Sequence, residues 1–169
     1  MKRLAVLSLA IAACAMPAHA HVGLQIPTSP AGSSYKAILQ VPHGCDGAAT
    51  TAIKVRIPEG YFNVKPLPKA GWTITLVRGP YQKPHELHGS QVTEGVTEIS
   101  WTGGELPDDH FDEFAFRGTL AGDLSEGTVL YFPTVQVCST AEEAWIDVTG
   151  EADADKPAPT LTVTPPQKH

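Results

Sequence analysis

The stretch Thr51-Ala52-Ile53-Lys54-Val55-Arg56-Ile57-Pro58-Glu59-Gly60 decides the fold class. Ile53, Val55 and Ile57 alternate with Lys54 and Arg56. That period of two puts apolar side chains on one face of a strand and charged ones on the other. Pro58-Glu59-Gly60 then ends the run with turn chemistry. The same pattern recurs in both directions and predicts strands over 35–41, 72–78, 96–101, 113–119, 129–137, 144–148 and 161–163. Gly79-Pro80, Thr102-Gly103-Gly104 and Ser125-Glu126-Gly127 read as turns between them. No long helical period and no internal repeat is present. About eight short strands separated by turns predict an all-β fold, an immunoglobulin-like β-sandwich. The acidic, Ala/Pro-rich stretch 149–159 reads as an exposed connection before the last strand. Residues 164–169 read as a flexible C-terminal tail.

The N-terminal end has a different composition. Met1-Lys2-Arg3 precedes an apolar run from Leu4 to Ala15 and then Pro17-Ala18-His19-Ala20. A charged start, a short apolar segment and an A-x-A site predict that residues 1–20 are a cleaved signal peptide. No later stretch approaches the roughly 20 apolar residues of a membrane span. The domain expected to remain is 21–163, in a periplasmic or secreted location. Removing Lys2 and Arg3 from the 12 Lys+Arg leaves ten against 18 Asp+Glu, a formal charge of −8. Nothing in that balance suggests a nucleic-acid face or a polybasic membrane patch.

Cleavage after Ala20 would make His21 the new N-terminus. A free α-amine beside an imidazole is a bidentate nitrogen ligand, and nitrogen donors in a tetragonal arrangement suit Cu(II). Both methionines, Met1 and Met16, fall in the signal. That argues against a thioether Cu(I) site. Cys45 and Cys138 are the two cysteines left after processing. In an oxidising compartment they are expected to form one disulfide. The alternative, thiolate ligation of Cu(I), stays open at this point.

The chain resembles the YcnI-like family of exported copper-binding domains, formerly a domain of unknown function. The resemblance rests on His21-Val22, Val41-Pro42-His43-Gly44-Cys45, Ile57-Pro58-Glu59-Gly60, Pro68-Lys69-Ala70-Gly71-Trp72 and Ile99-Ser100-Trp101-Thr102-Gly103-Gly104. It continues through Phe111-Asp112-Glu113-Phe114 and from Phe132-Pro133 past Cys138 to Trp145. It implies a β-sandwich and a Cu(II) site built on the N-terminal histidine, a single-histidine brace with an acidic side chain and a tryptophan nearby. It also implies a role in copper trafficking, with periplasmic or membrane copper-transport proteins as partners. Many members carry Asn-Glu or Ser-Glu where this chain has His43-Gly44, so that glutamate is missing here.

Among candidate ligands, His21 supplies the amine and Nδ1. Glu113 is the expected oxygen donor, outward on its strand beside inward Phe114 and Phe116; the alternative is an ordinary solvated strand residue. Trp145 is expected over the copper, with a core or edge aromatic as the alternative. Trp72 and Trp101 read as core. His43 is the rival for a second imidazole, which would make a two-histidine brace. His85 and His88 form H-x-x-H in an expected loop and read as solvated, His110 reads as a surface residue and His169 as a tail residue. The function expected is a copper carrier or buffer rather than an enzyme. An oxidative copper enzyme of histidine-brace type and a structural or adhesion β-sandwich are the other classes.

Overall fold

The structure, a computed structural model, describes residues 21–166. The expected signal peptide (1–20) and residues 167–169 of the expected tail lie outside the described residues. Among the described residues twelve strands form three sheets. One sheet is four-stranded, in the order β1 (Gly23–Leu24), β3 (Ser34–Val41), β8 (Asp112–Leu120), β5 (Tyr61–Pro66). A five-stranded sheet faces it, in the order β11 (Glu142–Trp145), β10 (Thr134–Cys138), β4 (Thr50–Arg56), β7 (Ser90–Leu106), β6 (Thr73–Leu87). A small third sheet joins β2 (Thr28–Pro30), β12 (Thr160–Thr164) and β9 (Val129–Tyr131). Among the described residues no helix is long and apolar enough to cross a membrane.

Alternation builds the core as the sequence predicts. Tyr35, Ala37, Leu39 and Val41 of β3 and Phe114 and Phe116 of β8 point inward. They meet Ile53 and Val55 of β4 and Ile99 and Trp101 of β7. Trp101 lies edge-on to Phe114 with ring centres 5.5 Å apart, an arrangement favoured by the ring quadrupoles. Trp72 stays half-buried and covers Gly104, where a Cβ would stand 2.2 Å from the indole.

Several readings need correction. Gly79-Pro80 is not a turn: β6 runs through it, with Gly79 opposite Gly95 and Pro80 opposite Glu94. β6 is an edge strand, where a proline need not interrupt a ladder. Thr102-Gly103-Gly104 likewise lies inside β7. The turn comes at His88-Gly89, where both residues have positive φ (51° and 77°), as a two-residue hairpin turn requires. His85 is therefore not a solvated loop residue. It is buried in β6, stacked on Phe62 with centroids 4.5 Å apart and 3.0 Å from the Glu59 carboxylate.

The expected strand 129–137 divides at Phe132-Pro133. β9 joins β12, whereas β10 crosses to pair with β4. β5 is additional to the expected strands. Asn63 has φ 52° and the register slips between Phe62 and Lys65, so adjacent Tyr61 and Phe62 are both buried and no alternation is legible. Thr164 still pairs with Pro30, so strand pairing continues into the segment expected as tail.

Candidate metal centre

Val22 is buried in the core and anchors the segment that leads into β1, where Gly23 pairs with Gln40. This leaves His21 half-buried at one end of the sandwich. Its ring centre lies 5.0 Å from that of Trp145, tilted by 50°. Trp145 ends β11 opposite Thr134 of β10 and is buried. The two rings line a shallow cavity of about 260 Å3 whose wall also includes His43.

His43 is oriented by a hydrogen bond within its own loop. Its Nδ1 lies 2.6 Å from the Gly44 carbonyl oxygen. A carbonyl only accepts, so in the neutral ring Nδ1 carries the proton and Nε2 the lone pair. Metal-binding imidazoles are typically oriented this way, one nitrogen donating to a carbonyl and the other facing the ion. The neighbouring glycine is required: a Cβ on Gly44 would stand 2.1 Å from the Ala48 carbonyl oxygen and 2.9 Å from the Asp108 carboxylate. A glutamate at this position is thus absent from the sequence and incompatible with the loop as folded.

Gln136 ties the pocket together. It is 2% exposed. Its Nε2 donates to the His43 carbonyl at 2.7 Å and to Thr50 Oγ1 at 2.8 Å, and its Oε1 accepts from Trp145 Nε1 at 3.4 Å. Cys45 and Cys138 are bonded, with Cα atoms 6.1 Å apart, as expected for the two cysteines outside residues 1–20. The bridge fastens the loop carrying His43 to the end of β10. With both sulfurs in the bridge, neither is a thiolate ligand.

The rim is acidic. Asp46, Glu143 and Asp155 face one cation, Lys156, a formal balance of −2. Lys156 pairs with Glu143 at 2.5 Å. That hydrogen bond to the carboxylate holds the ammonium above its ordinary pKa; desolvation opposes it, and the charges of Glu143, Asp155 and Asp46 add to it. Glu143 lies two residues before Trp145 on β11, on the same face of the strand.

Glu113 stands apart from this pocket. It pairs with Gln40 across β3–β8, two strands over from Gly23. Its Oε1 accepts from Gln40 at 3.2 Å and Gln25 at 3.4 Å. It shares the His21 end of the sandwich but does not line the cavity. The structure thus brings together His21, His43 and Trp145, and leaves Glu113 outside. Sequence reasoning missed Gln136, Glu143 and Lys156. Gln136 had a legible signal, an amide in phase with Thr134 and Cys138 on β10, all three buried. His110 is exposed beside Asp109, as expected.

Among the described residues no three His, Cys, Asp or Glu side chains converge to hold a metal by themselves. A histidine brace needs no such cluster, because two of its donors come from one residue and its main-chain nitrogen.

The family described as "Domain of unknown function (DUF1775)" matches residues 21–163. No curated protein matches. Among solved structures, the chain is similar to an uncharacterized protein from Nocardia farcinica with an immunoglobulin-like fold. The TM-score is 0.62 at 25% identity, covering 85% of this chain and 98% of that one.

Proposed function

This chain belongs to the DUF1775 family, the YcnI-like family that its motifs resemble, and from that premise we propose that it is an exported copper carrier or buffer. Cu(II) is its cargo, held at His21 once processing frees the α-amine. The observation that carries this reading is the His21 ring packed against Trp145 in a cavity shared with His43. Three nitrogen donors then become accessible: the amine, His21 Nδ1 and His43 Nε2. A rim of balance −2 favours a divalent cation over a monovalent one. Glu143 is the nearest candidate for an oxygen donor, in place of Glu113. The site is open to solvent, which permits ligand exchange with a periplasmic or membrane partner.

The chain's own residues control the protons. An amine and an imidazole bind a metal only through a free lone pair, so both must be free of protons when the ion binds. Trp145 covers one side and limits water, with its N–H directed to Gln136 and not toward the cavity.

The test is metal titration of protein whose N-terminus is verified as His21, beside a form extended by one residue. The extended form should bind Cu(II) at least tenfold more weakly, because a peptide nitrogen is a far poorer donor than an amine. Affinity should fall as the pH is lowered, because protons compete with the ion for the same lone pairs. Equal affinity in the two forms would place copper elsewhere.

The presence of His43 in the same cavity favours a second reading, a copper-dependent oxidative enzyme, which needs two imidazoles. Peroxide-dependent oxidation of a polysaccharide by the loaded protein would establish it. Its absence, with tight Cu(II) binding, leaves the carrier.

A further inference from the structure

A second site lies away from the cavity just described, on the outer face of the four-stranded sheet. Lys36 of β3 is the register partner of Arg117 of β8, and Arg117 is in turn the register partner of Lys65 of β5. All three are exposed. They form one row of cations across three neighbouring strands, roughly 10 Å from end to end at ordinary strand spacing. Like charges directly opposite one another destabilise a sheet. Among the described residues no carboxylate forms an ion pair with any of the three; the ion pairs present involve Lys69, Lys83, His85, His110 and Lys156. The row is the more notable because the chain as a whole carries a formal charge of −6.

The row opens onto a groove of about 770 Å3, larger than the His21 cavity and sharing no residue with it. Lys65 and Arg117 line its floor, and the tip of the β6–β7 hairpin, with His88 and Gln91, forms the far wall. Arg117 is oriented by its Nε–H, which donates to Ser34 Oγ at 2.8 Å. That bond leaves the terminal nitrogens of the guanidinium to face a ligand. Two carboxylates reach the groove, Glu86 and Asp123. Asp123 is neutralised by Lys83, and this ion pair, through its hydrogen bond first, holds the Asp123 pKa below its ordinary value. The floor therefore keeps a positive balance.

We propose that this groove binds a phosphate group, seated on Lys65 and Arg117 at its floor, with Lys36 beside Arg117 on the next strand adding to the positive field. A phosphate offers a second negative charge and more acceptor oxygens than a carboxylate, which suits three adjacent cations, one of them a planar fork. The phosphate belongs either to a soluble phosphate-bearing molecule or to an anionic lipid headgroup. An adjacent row of Ile38, Ala115 and half-exposed Leu67 gives the face an apolar margin that fits either source.

Two titrations of the chain from His21 onward test it. One adds inorganic phosphate against chloride at constant ionic strength and follows backbone amide shifts. The other measures co-sedimentation with phosphatidylglycerol vesicles against phosphatidylcholine vesicles. Saturable shifts at β3, β5 and β8 with phosphate identify a soluble ligand, and retention by phosphatidylglycerol vesicles alone identifies a lipid one; both support the site. Lys65→Gln/Arg117→Gln should weaken binding about tenfold and leave Cu(II) titration unchanged. Lys36→Gln/Lys65→Gln, which keeps the Arg117–Ser34 bond, should do the same without lowering the melting temperature, since it relieves repulsion. Neither phosphate shifts nor selective vesicle binding, or equal binding by folded double variants, would overturn the proposal.

Discussion

Replacing Gln136 by leucine should damage stability and copper binding together, and the size of both effects follows from its hydrogen bonds. Leucine fills much the same volume, so packing changes little. The His43 carbonyl and the Trp145 N–H lose their partner at Gln136, and Thr50 Oγ1 keeps only a long contact to Cys138 Sγ at 3.7 Å. A buried polar group left without a partner costs about 1–3 kcal/mol. The Trp145 bond is long, so its loss counts at the low end of that range, and the added apolar burial of leucine offsets part of the rest. The net loss should be about 2–4 kcal/mol, which for a domain near 150 residues lowers the melting temperature by roughly 5–15 °C. Thermal and urea unfolding followed by tryptophan fluorescence would measure it. The same change removes one of the two ties between the His43 loop and β10, leaving the disulfide, and releases the Trp145 indole N–H, so Cu(II) affinity should fall by about tenfold. Thr50→Val is the control: it removes one of the hydrogen bonds, costs about 1 kcal/mol and leaves copper affinity near its original value. If Gln136→Leu changes stability by less than about 0.5 kcal/mol and binds copper normally, the amide is not the clamp described here.

Cys45→Ala/Cys138→Ala opens a loop closed over a sequence separation of 93. The chain-entropy relation puts the loss at about 4–5 kcal/mol, read by denaturant unfolding, and an unchanged midpoint would contradict it. Lys156→Gln removes the cation that holds Glu143. It should tighten Cu(II) binding severalfold at low salt, with the gain shrinking as salt rises; weaker binding would show that the Lys156 ammonium supports the site. Burial raises the Tyr35 phenol to about 12 from an ordinary value of 10. The folded state holds this proton more tightly than the unfolded chain. The stabilisation is complete below pH 10 and is lost as the pH climbs toward about 12, so alkaline unfolding should begin in that window and shift upward in Tyr35→Phe.

The sequence by itself determined the features that depend on local periodicity and chemistry. Ile53, Val55 and Ile57 alternating with Lys54 and Arg56 announce a strand because side-chain direction follows residue parity along an extended backbone. The A-x-A site before His21 marks a candidate amine without any fold. Cys45 and Cys138, the two cysteines beyond the expected signal peptide, are expected to pair because no third thiol competes with them there. Tertiary structure decided the rest. Pro80 could be a turn or an edge-strand residue, and only the pairing of β6 with β7, which sets Pro80 opposite Glu94, settles which. His85 reads as solvated until the hairpin folds it onto Phe62. Glu113 was placed correctly as an outward residue at the His21 end, yet alternation says nothing about which neighbours an outward carboxylate meets; Gln25 and Gln40 meet it. The His21 pocket draws on His43, Gln136, Glu143 and Trp145, and on Lys156 near the far end of the chain. Their meeting depends on the register of β10 against β4 and β11. A slip of one residue there would turn Gln136 and Trp145 to the opposite face, and no local pattern records such a register.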